Sequence, residues 1–432
     1  MANSSWAGIS GPSTELKGFN SHNIDWSRAL GTCRHFIENH TRAQTAFQAL
    51  KGFAHILFMH PSLPARINGE FLFFKSIARP DLDFLFRAAA DACPYDKTVV
   101  DHHYQPALNL TGLTMLVRNL PALFALKAAT RHNWPAALYL YVNYIRCVQV
   151  LAIAAGMPVQ NLIVFGDMQQ LDSCLVQHFR QRGARTATLQ HGLYLDTSTD
   201  RRNINYVNYR NIVAEYFLAW GTATKTLVER HTSAKVEIVG KPILPLRPAN
   251  PVGPDPFFAV LFDSTAFQQQ NRELLSIALE IEQRTGARAR FCPHPDNVLS
   301  DYNLDPGCIL PREKIPDALF VIGHSTTYLI ELLRLGMRVY RLHSKFPWHL
   351  ANADLIFSSA GELAAKLDRP QDSAAIANPF IDCIGTDSLS RYEDFYRSLA
   401  AGPEALEGKA RVRIARHSRL PVSGQIKESA AP

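Results

Sequence analysis

The chain lacks three glycine signatures. It has no Gly-x-Gly-x-x-Gly, no Gly-x-x-x-x-Gly-Lys-Ser/Thr and no Gly-x-Ser-x-Gly. The first two absences argue against a standard dinucleotide oxidoreductase and a P-loop NTPase, the third against a nucleophile-elbow serine hydrolase. Its seven cysteines (33, 93, 147, 174, 292, 308 and 383) include no Cys-x-x-Cys pair, so neither a disulfide framework nor a zinc site is expected. Reduced thiols in the cytoplasm are the simplest account. An unbroken apolar span is missing too. The best stretch, Ala136–Ala155, is interrupted by Asn143, Arg146 and Gln149; a charge at mid-bilayer is costly, so a buried or half-buried helix is expected there. Met1 to Ser13 is small and polar, without the apolar core of a secretory signal. There is no internal repeat and no long low-complexity segment.

What is present is an ordinary globular composition, 47% hydrophobic and 19% charged. At 432 residues the chain exceeds one usual core, and two domains are expected. A net charge of +7 and a pI near 9.0 favour anionic partners such as nucleotide phosphates, acidic sugars or an anionic membrane face. Zinc-finger spacing, a basic-region helix and an aromatic RNA-binding signature are all absent, so nucleic acid is not expected.

Prolines 242, 245, 248, 251, 254 and 256 crowd one short stretch, which leaves no room for a helix or inner strand and reads as a stiff linker. On both sides, short apolar runs alternate with amphipathic segments. Upstream, strands are expected at His55–Phe58, Thr98–Asp101, Leu162–Phe165, Thr186–Leu189, Tyr216–Trp220 and Val236–Val239. Helices are expected at Leu113–Arg131, Pro135–Ala155, Leu171–Arg182 and Thr224–His231. Downstream, strands at Phe257–Phe262, Ala289–Cys292, Leu319–Ile322 and Val339–Leu342 alternate with helices at Gln268–Thr285 and Thr327–Leu335. This pattern implies α/β architecture with parallel sheets covered on both faces. The expected division is residues 1–242, a linker at 243–256, a second domain at 257–402, and a polar basic tail at 403–432. A last helix over Leu389–Leu399 is placed to pack back across the join.

Two strand ends carry the most chemistry. Pro293-His294-Pro295 closes Ala289–Cys292, and Gly323-His324-Ser325-Thr326-Thr327 closes Ala318–Ile322 ahead of a helix. Open α/β sheets bind ligands at such ends, and hydroxyls beside free helix N–H groups suit an anion. The same hydroxyls can serve as plain N-caps, and His294 can be a turn residue held between prolines. Asp263, in Leu261-Phe262-Asp263-Ser264-Thr265, ends another strand as a nucleophile or general base, or as a cap of the following helix. Glu331 lies one turn into the helix after Thr327. Asp167, in Phe165-Gly166-Asp167, and His191, in Leu189-Gln190-His191-Gly192-Leu193-Tyr194, end two strands of the first half. Gly192 allows a sharp turn close to a ligand.

This ordered set, spanning about Val164 to Leu342, resembles the GT-B glycosyltransferases of bacterial surface-polysaccharide synthesis. The nearest likeness is to the CMP-sugar branch of sialyltransferases and Kdo transferases; CDP-glycerol phosphotransferases carry a similar pair of motifs. The first 150 residues carry no signature of either. The resemblance implies two Rossmann-like domains facing across a cleft, with a nucleotide-sugar donor and no other cofactor. It implies a nucleotide site of His294, Pro295, Ser325, Thr326, Thr327 and Glu331, with CMP phosphate on His294, Ser325 and Thr326 (or the donor sugar's carboxylate on Ser325 and Thr326) and ribose on Glu331. It implies Asp263 as nucleophile or base, Asp167 and His191 at the acceptor hydroxyl, and Gln190, Gly192 and Arg201 on the acceptor side, with Asp196, Asp200 and Arg202 nearby. The acceptor would be a glycan or a lipid-linked glycan. Alternatives are glycerol- or ribitol-phosphate transfer, a nucleotide-sugar epimerase or hydrolase, and a non-catalytic glycan-binding protein.

Asp81-Leu82-Asp83 is formally an Asp-x-Asp metal motif, but it follows a proline at a helix start and reads as capping. His102-His103 and His60-Pro61 read as loop residues, so no catalytic metal is expected. The protein is expected in the cytoplasm. The basic surface and the Leu113–Arg131 helix, with Arg118, Lys127 and Arg131, would allow a peripheral contact with the inner membrane.

Overall fold

The computed structural model describes residues 23–64, 66–77, 79–194, 205–242, 255–346 and 352–402. The expected linker core (243–254), the basic tail, and Asp196, Asp200, Arg201 and Arg202 lie outside them. Strands in the first half are β1 (Met59–Ser62), β2 (Phe71–Lys75), β3 (Lys97–Asp101), β4 (His103–Pro106), β5 (Asn161–Val164), β6 (Arg185–Leu189), β7 (Tyr216–Ala219) and β8 (Lys235–Ile238). In the second half they are β9 (Phe257–Leu261), β10 (Arg288–Cys292), β11 (Val321–Gly323), β12 (Val339–Leu342) and β13 (Ile356–Phe357).

The first sheet is ordered β3-β2-β5-β6-β7-β8 and the second β10-β9-β11-β12-β13. Every pairing within both is parallel. Numbered within its own sheet, each begins 2-1-3-4-5, the doubly wound order in which ligands bind where the winding reverses. That gap falls between β2 and β5 in the first sheet and between β9 and β11 in the second. The protein therefore has two Rossmann-like parallel domains, the GT-B layout. β1 and β4 form a separate antiparallel pair.

Local sequence accounts for the elements. β2 reads Phe-Leu-Phe-Phe-Lys with all five residues buried, as a central strand covered on both faces requires. The Arg42–Phe58 helix opens on a Thr41–Gln44 capping box, which satisfies two end groups reciprocally. The Gln268–Thr285 helix stops at Gly286, whose φ of 71° suits a glycine cap. Trp134–Ala154 is long and apolar, but 72% of its most apolar window is buried in the protein, and it packs as a core helix.

Several expected boundaries differ. His55–Phe58 is the end of a helix, and the strand starts at Met59. The single helix expected over Leu113–Arg131 is two, Leu110–Arg118 and Leu120–Ala129; Pro121, lacking an N–H, opens the second as it cannot continue the first. β2, β4 and β13 were not anticipated. The last helix, Gly385–Ala401, crosses from the second sheet to the first. Tyr396 donates from its hydroxyl to Ala89 O at 3.1 Å, and its ring meets Phe71 and Phe73 edge-on. Just before it, Asp382 N–H donates to Trp220 O at 2.9 Å.

Candidate functional site

The second switch point is a closed polar network. Asp263, two residues beyond β9, is buried. Its Oδ2 accepts from His324 Nδ1 at 2.9 Å, Ser325 N–H at 2.8 Å and Ser325 Oγ at 2.7 Å. Its backbone is gripped by Asn271, which accepts from Asp263 N–H and donates to Asp263 O, both at 2.9 Å. The loops after β9 and β11 are thus tied across the gap where the winding reverses. His324 is fully buried, and its Nε2 lies 2.6 Å from Ser344 Oγ, beyond β12. Arg341 donates to His324 O at 3.1 Å and to Phe346 O at 2.8 Å. Burial pulls the Arg341 guanidinium below its ordinary range, and the Asp263 carboxylate opposes that shift.

Asp263, His324 and Ser344 follow the contact order of an acid–base–hydroxyl relay. Here, however, the imidazole is wholly enclosed, and Ser344 Oγ also takes the Phe346 N–H at 3.2 Å. The set therefore works as a tie between three strand-end loops. This revises two expectations. Asp263 neither caps a helix nor stands as an uncommitted nucleophile, because the oxygen facing the gap is shared among three donors. The three hydroxyls are also not one anion cradle. Ser325 is spent on Asp263, and Thr326 Oγ1 accepts from Tyr328 N–H at 3.3 Å. Thr327 makes no side-chain cap bond to the Tyr328–Arg334 helix.

His294 is half-exposed beyond β10. Its Nδ1 accepts from Asp296 N–H at 3.2 Å and lies 3.3 Å from the Asp296 carboxylate, while its own N–H donates to Asn297 Oδ1 at 3.0 Å. Pro295 continues that turn. Glu331 is not a solitary carboxylate: it pairs with buried Lys241, whose ammonium stands 4.7 Å over the Trp220 ring. Burial lowers the Lys241 pKa, while Glu331 holds it up. The pair joins the exit of the first domain to a helix of the second.

The first switch point is built differently. Asp167 Oδ2 accepts from Val213 and Ala214 N–H at 2.6 and 2.7 Å, and burial raises its pKa to about 6. The carboxylate expected at the acceptor hydroxyl holds a loop instead. Asp172, fully buried, accepts from Ser76, the residue after β2; burial and then nearby Asp167 raise it to about 8. Among the described residues its Oδ1 has no hydrogen-bond partner. Gln190 is internally committed: it donates to Gly192 O and Thr224 Oγ1 and accepts from Trp220 N–H. Its expected contact with an acceptor gives way to holding the loop after β6. His191 is half-buried, with Tyr194 OH 3.2 Å from Nδ1; burial and then Arg79 lower its pKa to about 4. Gly192 has no left-handed backbone, so the turn does not demand glycine, and a Cβ there would meet none of the described residues within 4 Å.

Buried Lys75, at the end of β2, pairs with Asp83 and with Asp101 at 3.3 Å. Asp83 is therefore a charge partner rather than a cap, and the Asp81 side chain lies outside the described residues. His60, His102 and His103 lie in or between strands, not in open loops. Among the described residues, no three His, Cys, Asp or Glu side chains are grouped to hold a metal. Also among those residues, Asp167 and His191 make no hydrogen bond or ion pair with Asp263, His294 or Ser325.

Sequence reasoning missed Asn271, Asp172, Lys241, Arg341 and Ser344. Asn271 and Asp172 leave a trace, being polar residues on otherwise apolar helix stripes with Leu274, Ile277 and Ala278, and with Leu175, Val176 and Phe179. Ser344 leaves none.

No family model and no curated protein matches the chain. Solved structures do. The UDP-GlcNAc 2-epimerase from Methanocaldococcus jannaschii is 14% identical, with 77% of this chain and 100% of that one covered and a TM-score of 0.46. The enzyme of that name from Neisseria meningitidis, bound to UDP-GlcNAc, is 11% identical, with 77% and 100% covered and a TM-score of 0.44. A putative one from Listeria monocytogenes is 12% identical, with 77% and 95% covered and a TM-score of 0.46. The fold assignment rests on the strand order above, not on these likenesses.

Proposed function

We propose that the protein is a nucleotide-sugar-dependent glycosyltransferase that moves an acidic sugar from a CMP-activated donor to a glycan acceptor of a bacterial surface polysaccharide. The observation that carries the reading is the Asp263–Ser325–His324 contact. It rigidifies two strand-end loops at the reversal of the second sheet, where doubly wound domains take their ligands. The net charge of +7 suits an anionic donor.

In this reading His294 and Thr327 meet the nucleotide phosphates, and Glu331 meets the ribose by exchanging its partner Lys241. Asp263 and Ser325 are positioning residues that hold the loop. His191, neutral at physiological pH, accepts a hydrogen bond from the acceptor hydroxyl and orients it; at a pKa of about 4 it is a weak base. The bond formed is from the acceptor oxygen to the anomeric carbon. The bond broken is from that carbon to the phosphate oxygen; CMP departs with the electron pair, and the acceptor hydroxyl proton passes to the phosphate of the departing CMP.

Calorimetric titration of CMP, CDP and UDP into the wild type and His294→Ala tests this. CMP selectivity, weakened about tenfold or more by the substitution, is the expected result. Preference for UDP would redirect the reading to the UDP-sugar chemistry named for the structural neighbours. Absence of binding by all three would end it.

A further inference from the structure

Between Glu38 and Glu70, and again between Asp101 and Asp167, the chain contains no acidic residue. These two stretches supply four helices: Arg42–Phe58, Leu110–Arg118, Leu120–Ala129 and the core helix Trp134–Ala154. The first three pack around the fourth and leave apolar stripes facing outward. On Arg42–Phe58, Phe47, Leu50 and Phe58 are 59%, 67% and 57% exposed, at spacings that place them on one helix side with exposed Lys51. On Leu110–Arg118 the exposed residues are Leu110, Leu113 and Val117, and on Leu120–Ala129 they are Leu120 and Phe124. Leu108, in the lead-in to these helices, is 71% exposed.

Isolated exposed leucines need no explanation, but one layer of helices with repeated outward apolar rows does. The charges set among them have one sign: Arg42, Lys51, Arg118, Lys127 and Arg131. Two are arranged as amphipathic side chains, with Lys51 5.7 Å from the Phe47 ring centre and Lys127 4.1 Å from that of Trp134. An apolar face edged by cations, on helices that themselves carry no carboxylate, matches the interface of an anionic bilayer. A second copy fits less well, because a two-fold contact through this face would set like charges against each other.

We propose that this three-helix face docks the protein peripherally on an anionic lipid surface, with Phe47, Leu50, Phe58, Leu113 and Phe124 entering the headgroup boundary and Lys51 and Arg118 meeting lipid phosphates. The proposal stands on the surface alone and is independent of the nucleotide reading.

The test is flotation of the full chain, without nucleotide, on vesicles of phosphatidylcholine alone and of phosphatidylcholine with phosphatidylglycerol. Binding is expected only to the anionic vesicles, and it should weaken as salt rises. Phe58→Glu/Phe124→Glu should lower the partition about tenfold or more. Lys51→Glu/Arg118→Glu, which keeps the apolar area and alters only exposed charges, should do the same; circular dichroism confirms that each variant is folded. A folded wild type that ignores anionic vesicles, or binds neutral ones equally, overturns the proposal. So does a concentration-dependent dimer in light scattering that Phe58→Glu/Phe124→Glu abolishes, which would assign the face to a second copy.

Discussion

The two domains share a winding order, and each buries a carboxylate beside the gap where the winding reverses, yet they stabilise that carboxylate by opposite means. At the second gap Asp263 is surrounded by an imidazole, a hydroxyl and an amide, with the Arg341 guanidinium close by. At the first, Asp167 receives two backbone amides and Asp172 the Ser76 hydroxyl, and among the described residues neither makes an ion pair. Burial drives both first-gap carboxyls upward, to about 6 and about 8. A buried carboxylate needs hydrogen bonds or a counter-charge, and without the latter it drifts toward its neutral form. The second edge is therefore charge-compensated and tied, whereas the first is held by groups that release protons near neutrality.

The largest test of that contrast is a matched pair. Asp263→Asn removes the charge that His324 and Arg341 are arranged around and should cost about 3 kcal/mol. Asp167→Asn keeps an acceptor oxygen for the two amides and removes a charge that burial disfavours, so it should cost about 1 kcal/mol or less. Urea midpoints at pH 7 distinguish them. Equal losses would mean that the two edges are not held differently.

The Lys241–Glu331 pair is the place where one domain's cation meets the other's carboxylate. Lys241→Met should destabilise by about 2 kcal/mol, because it leaves a mostly buried carboxylate without its partner. It should leave nucleotide affinity equal or improved, since Glu331 is then released. Glu331→Gln should weaken nucleotide binding about tenfold with a smaller loss of stability. If both variants bind nucleotide as the wild type does, Glu331 is only a domain tie.

Much of the fold was legible in the sequence because parallel strands and amphipathic helices announce themselves by period. The Gln268–Thr285 helix and the Val339–Leu342 strand fall where their patterns put them. Phe71–Lys75 did not, since an unbroken Phe-Leu-Phe-Phe run has no alternation to distinguish a central strand from a core helix. The site was legible as strand-end residues but not as contacts. Ser325 and Asp263 stand 62 residues apart, and only the parallel pairing of β9 with β11 makes them neighbours. Lys241 was hidden by its place at the edge of the proline-rich stretch. The loop contacts of Asp167 were not legible, because a carboxylate at a strand end suits a loop clamp as well as it suits chemistry.

The first edge also makes a prediction about pH. In the unfolded chain both first-gap carboxyls would titrate near the ordinary 3.8, and in the folded protein they titrate near 6 and 8. Between pH 4 and 8 the native state thus binds more protons than the unfolded one, and stability falls as pH rises through that window. Above it the curve flattens. Asp172→Asn removes the higher of the two, and should raise stability at pH 8 by about 1–2 kcal/mol while changing little at pH 4. Thermal unfolding across that range checks it, and an unchanged slope would show that Asp172 is solvated in the folded protein.

The smallest expected effect sits on the glycines of the first edge. Gly166, at a φ of +113°, would bring a Cβ to 3.3 Å from His191 Nδ1 and 3.2 Å from Met168 Sδ. Alanine there is strained in backbone and in space, and should cost about 1–2 kcal/mol. Gly192 has neither constraint, so Gly192→Ala should change stability by no more than about 0.5 kcal/mol. Any loss it causes in acceptor binding or turnover would then come from a ligand that needs the open space beside His191. A rise in acceptor KM with an unchanged unfolding midpoint would place the acceptor at this edge. Unchanged kinetics would move it elsewhere, leaving His191 as a packed ring on its loop.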